Sequence, residues 1–107
     1  MVRDPTAGDT DELVRRIVAA VGPLRIILFG SAARGRAGAH SDLDVLVVMP
    51  DGTHRRQTMQ YLHTQLFGFP MAVDILVATP ADLARHRHNP GLIYQTIVEE
   101  GKELYAA

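Results

Sequence analysis

Gly30 and Ser31 are followed, after ten residues, by Asp42-Leu43-Asp44, with an apolar run leading in and another leading out. Two acids one residue apart at a strand start point the same way, because strand side chains alternate faces. A third acid, Asp74, is the one charge in the apolar run Met71 to Ala78. A carboxylate in such a run is expensive unless it is paired or liganded. If its strand lies beside that of Asp44, three carboxylates come together. At ~4 Å and an effective dielectric near 20, each pair repels by roughly 4 kcal/mol. Divalent cations relieve that repulsion, and an all-oxygen donor set points to Mg²⁺. Two such ions roughly 3.5–4 Å apart form a clamp for in-line phosphoryl or nucleotidyl transfer. The Gly-Ser turn supplies the complementary half. Glycine admits close approach of a ligand to the backbone, helix-start amides after Ser31 hold phosphate oxygens, and Arg34 and Arg36 are placed to pair with a polyphosphate.

The elements that must position these residues are legible from periodicity. Asp9 and Glu12 have capping-box spacing, and Leu13, Ile17 and Val21, with Val14 and Ala20, form one apolar helix face that Gly22-Pro23 ends. Leu24 to Phe29 reads as a central strand and Leu43 to Met49 as a second, ended by Pro50-Asp51-Gly52. His54 to Phe67 reads as a helix with Met59, Leu62 and Leu66 on one side; Met71 to Ala78 reads as the third strand. Thr79, Pro80 and Asp82 have the types and spacing of a capped helix start. A last helix over Leu92 to Glu100 stops at Gly101, and Leu104-Tyr105 suits a short edge strand. The alternation implies an α+β domain of two layers, a mixed sheet flanked by helices. Residues 1–8 read as a loose lead-in and 9–107 as one domain.

With 107 residues the chain suits a single small core. A net charge of -1 leaves no basic field for direct nucleic-acid binding, and the absence of cysteine excludes disulfides, zinc-thiolate sites and thiol catalysis. No apolar run has membrane-spanning length, and Met1 to Pro5 lacks a signal peptide's apolar stretch, so a cytoplasmic protein is expected. The five histidines do not form a chelating set: His86 and His88 do not share a helix face, His54 and His63 are too far apart, and His40 reads as solvated. Arg55-Arg56 and Arg85-His86-Arg87-His88 read as solvated helix faces open to a partner.

At Gly30-Ser31-Ala32-Ala33-Arg34-Gly35, Ser41-Asp42-Leu43-Asp44-Val45 and the distant Asp74, the chain resembles the nucleotidyltransferase superfamily that includes DNA polymerase beta. In size and in the form of these motifs it is most similar to the minimal nucleotidyltransferases of bacteria and archaea, which include MntA-type antitoxins. The resemblance implies the polymerase beta-like fold, ATP as substrate and two Mg²⁺ ions. It implies that Asp42 and Asp44 hold both metals and that Asp74 holds the catalytic one and helps deprotonate an acceptor hydroxyl. Gly30 and Ser31, with Arg34, would bind the triphosphate. It further implies an antitoxin paired with a HEPN-type toxin and transfer of AMP to a tyrosine of that partner. A small aminoglycoside-like acceptor, and an inert antitoxin acting by occlusion, stand as alternatives.

Overall fold

The computed structural model describes residues 7–30, 43–86 and 93–107. In chain order these form α1 (Ala7–Val21), β1 (Arg25–Phe29), β2 (Leu43–Val48), α2 (Arg55–Gln65), β3 (Val73–Ala78), α3 (Pro80–His86), α4 (Ile93–Glu100) and β4 (Lys102–Ala106). The strands make one mixed sheet in the order β3-β2-β1-β4. β1 runs antiparallel to both β2 and β4, and β2 runs parallel to β3. As the apolar run from Leu24 implies, β1 is internal; Ile26, Ile27 and Leu28 are buried. The C-terminal residues form the expected edge strand.

The period-2 alternation of the strands divides the core. Ile26, Leu28, Leu43, Val45, Val47, Ile75 and Val77 pack with Leu13 and Ile17 of α1 and with Leu62 of α2. Ile27, Leu46, Val48 and Ala78 point the other way and pack with Ile97 of α4. The long helices therefore cover one face, and the short α3 and α4 cover part of the other. Arg16 of α1 lies over the Phe69 ring, 5.5 Å from its centroid, and ties α1 to the turn after α2.

Helix α1 begins at Ala7, two residues before the start suggested by the Asp9 and Glu12 spacing. Asp9 is buried within the first turn, where the helix dipole favours an acid. Glu12 instead pairs along the helix with Arg15 and Arg16, the latter at 2.9 Å. The starts of α2 and α3 follow the sequence closely. His54 caps α2 by accepting from the Gln57 amide at 3.2 Å. Thr79 and Asp82 form a reciprocal capping box: Asp82 Oδ2 accepts from the Thr79 amide and hydroxyl, both at 3.0 Å, and the Thr79 hydroxyl accepts from the Asp82 amide.

Candidate functional site

The site is built where β1 ends and the parallel pair β2-β3 begins. Asp44 is the second residue of β2 and Asp74 the second of β3, and the register places them directly abreast. Residues abreast on neighbouring strands share a face. Theirs is the face of Leu46, Leu76, Val48 and Ala78, opposite α1 and α2. The short helices pack over the far end of that face, around Val48, Ala78 and Ile97, and the acids stand at the other end. Asp74 is exposed and Asp44 half-buried. On the other flank Phe29 pairs with Asp44, so the row across the sheet reads Phe29, Asp44, Asp74.

Gly30 follows Phe29 and closes this row. Its φ of +75° lies in the left-handed region, open to glycine at little cost. The Asp44 carboxylate also fills the space that a side chain there would need. A Cβ on Gly30 would overlap Asp44 Oδ2 and lie 3.2 Å from its Cγ. The glycine is thus a seat for the carboxylate as well as a turn residue, a role the sequence reading, which assigned Gly30 to the phosphates alone, did not contain.

The backbones of neighbouring strands lie roughly 4.8 Å apart, so the two acids occupy adjacent positions on one face of the sheet. Hard oxygen donors held abreast on one face suit a divalent cation such as Mg²⁺. Among the described residues no group of three or more His, Cys, Asp or Glu gathers to hold a metal. Asp42, the remaining acid of the expected set, lies outside the described residues, as do Ser31 and Arg34. Of the expected site residues, the structure brings together Gly30, Asp44 and Asp74.

A second charged cluster lies at the other end of β3. Asp82, on α3, is buried and faces Arg55 at 3.1 Å and Arg85 at 3.6 Å. Burial pushes its pKa up, but the Thr79 hydrogen bonds and then the Arg55 and Arg85 guanidiniums outweigh this and hold the carboxyl below its ordinary value.

A family model described as a nucleotidyltransferase domain matches residues 11–106. Three solved structures share the fold. A candidate nucleotidyltransferase from Sulfolobus solfataricus superposes with a TM-score of 0.62 at 19% identity, over 92% of this chain and 78% of that one. A toxin-antitoxin structure with AMP-PNP gives 0.60 at 24% identity, over 92% and 73%. A mutant of the toxin-antitoxin MntA-HpeT gives 0.52 at 23% identity, over 97% and 75%. No curated protein sequence matches the chain.

Proposed function

The chain belongs to the nucleotidyltransferase domain family, and from that premise we propose that it transfers AMP from ATP to a tyrosine hydroxyl of a partner HEPN-type toxin, acting as the antitoxin of the pair. The observation that carries the catalytic part is the pairing of Asp44 with Asp74 across the parallel strands, with Gly30 seating the Asp44 carboxylate. An inert occluding module has no use for two acids aligned at a sheet surface with a glycine kept clear for one of them. The likeness to two toxin-antitoxin structures, one holding AMP-PNP, supports the partner and nucleotide classes.

Each residue has a distinct task on this reading. Asp44 is the inner, seated carboxylate and Asp74 the outer, exposed one, so Asp74 is the acid that an incoming acceptor meets. Asp42, Asp44 and Asp74 would hold two Mg²⁺ ions, which supply positive charge against the phosphates. Ser31 and Arg34 would bind the triphosphate beside Gly30. The acceptor oxygen forms a bond to the α-phosphorus, and the bond from that phosphorus to the oxygen bridging to the β-phosphate breaks. Pyrophosphate leaves with the electron pair, and Asp74 takes the hydroxyl proton.

The test incubates the purified chain with labelled ATP, Mg²⁺ and the protein encoded by the adjacent gene. Addition of one or more AMP groups to a tyrosine of that protein, lost in Asp44→Asn and in Asp74→Asn, is the expected result. An unmodified partner together with efficient labelling of a small hydroxylated compound would replace the protein acceptor with a small-molecule one. Full neutralisation of the toxin by Asp44→Asn without any transfer would leave occlusion as the mechanism.

A further inference from the structure

Strand β3 stands at the end of the sheet order, and among the described residues no strand pairs with its outer side. Its hydrogen-bonding parity is fixed at both ends: the Leu43 amide donates to the Ala72 carbonyl at 3.0 Å and the Met49 amide to the Ala78 carbonyl at 2.8 Å. Backbone groups alternate between the two sides of a strand. Asp74 and Leu76 therefore turn their backbone groups toward β2, and Val73, Ile75 and Val77 turn theirs outward. An edge strand with outward backbone groups is a template for an added strand.

The edge has chemistry beside it. Arg55, Arg56, Met59, Leu76 and Val77 line a depression of about 220 Å³. Leu76 and Val77 both belong to β3, so the depression lies against this edge strand. Its floor is apolar and its rim cationic. Both arginines sit in the first turn of α2, which carries no acid. The helix dipole disfavours cations there. Arg55 is engaged by Asp82. Arg56 is exposed, and no ion pair to it occurs among the described residues.

We propose that the outer edge of β3 receives an extended acidic segment of the acceptor protein, which adds to the sheet and sets its hydroxyl-bearing side chain beside Asp74. The inference rests on the function proposed above and adds how the acceptor is held. Side chains of an added strand alternate faces. Those on the face of Asp74 continue the row Phe29, Asp44, Asp74 by one position, so a tyrosine there is delivered to the exposed acid. Those on the opposite face lean toward α2, where an apolar residue fills the depression and an acidic one meets Arg56. The outward amides and carbonyls of Val73, Ile75 and Val77 supply the main-chain bonds.

The experiment uses the full chain with ATP and Mg²⁺ and two probes, the peptide acetyl-Glu-Glu-Val-Tyr-Val-Glu-Glu-amide and its counterpart with lysine for each glutamate. Amide hydrogen exchange is read at Val73, Ile75 and Val77, and AMP on the peptide by mass. The expected result is slowed exchange at these three amides with the acidic peptide alone, and a KM for it raised about tenfold by Arg56→Glu. Unchanged exchange at the three amides, or equal effects of both peptides, would overturn the proposal. Slowed exchange that depends on protein concentration without peptide would overturn it in favour of a second copy pairing at this edge. The two readings fail separately. Edge protection without any AMP transfer removes the proposed function and leaves the docking edge. Transfer to the partner's tyrosine with the edge amides exchanging freely removes the docking edge alone.

Discussion

At the scale of single residues, the site turns on the contact between Gly30 and Asp44. Alanine at position 30 meets two obstacles: a φ of +75°, and the Asp44 carboxylate already in the place of the new Cβ. The first costs about 1–2 kcal/mol. The second is relieved only by moving the carboxylate, because the atoms met are the end of the Asp44 side chain. Gly30→Ala is therefore expected to lose activity out of proportion to stability. The fall in AMP transfer should be on the order of 10²-fold, the effect of a misplaced reacting group, with a thermal melt that still shows a cooperative fold. Near-wild-type transfer by a folded Gly30→Ala chain would deny the seat its role. Asp44 was legible in the sequence as an acid at a strand start and Asp74 as the one charge within an apolar strand, which the structure begins at Val73 rather than Met71. The seat was not, because residue type says nothing of which side chain approaches a glycine.

At the scale of elements, the start of α3 was written in the chain by Thr79, Pro80 and Asp82. All three are local signals three residues apart or less, and the structure closes them into a capping box. The start of α1 was misread by two residues because Asp9 and Glu12 carry the same spacing for other reasons, the dipole for Asp9 and the arginines for Glu12. Nor does the sequence say that Arg55, on another helix, reaches Asp82. The Thr79 hydrogen bonds, and after them the Arg55 and Arg85 guanidiniums, make the start of α3 pH-sensitive. The Asp82 carboxyl is held below its ordinary pKa, so it binds its proton more readily in the unfolded chain. Its stabilisation is complete above the unfolded value, near 4, and is lost as pH falls through the lower folded value. Asp82→Asn is expected to cost about 0.3–1 kcal/mol at pH 7, typical of a lost negative charge in the first turn of a helix. The difference from wild type should shrink as denaturant melts are moved from pH 7 toward pH 3. A difference independent of pH would show that the charge contributes nothing.

At the scale of the whole molecule, the sheet and its helices were legible because each strand and helix announces its own period. The distribution of helices over two faces was not, because an apolar face does not name its partner. The edge strand itself was legible at Leu104-Tyr105, but its pairing with β1 was beyond local reading. It depends on Gly101, where a Cβ would overlap the Ile97 carbonyl oxygen and lie 2.5 Å from Ile27 Cγ2, so that α4 and β1 touch across the glycine. The other end of the sheet is closed by nothing among the described residues, and here the placement of one acid has a consequence for solubility. Val73-Asp74-Ile75-Leu76-Val77-Ala78 is an edge strand that, without its aspartate, is apolar on both faces. Slipping its register by one residue would then bury an equally apolar set, and an uncharged β-rich edge is a template for self-association. Asp74 forbids both, since the slipped strand would drive a carboxylate under α1 and α2. Asp74→Val is thus expected to raise light scattering on standing or on refolding, whereas Asp74→Asn stays clear because its amide still resists burial. The acid proposed to face the acceptor also keeps the strand beneath it from pairing with its own kind.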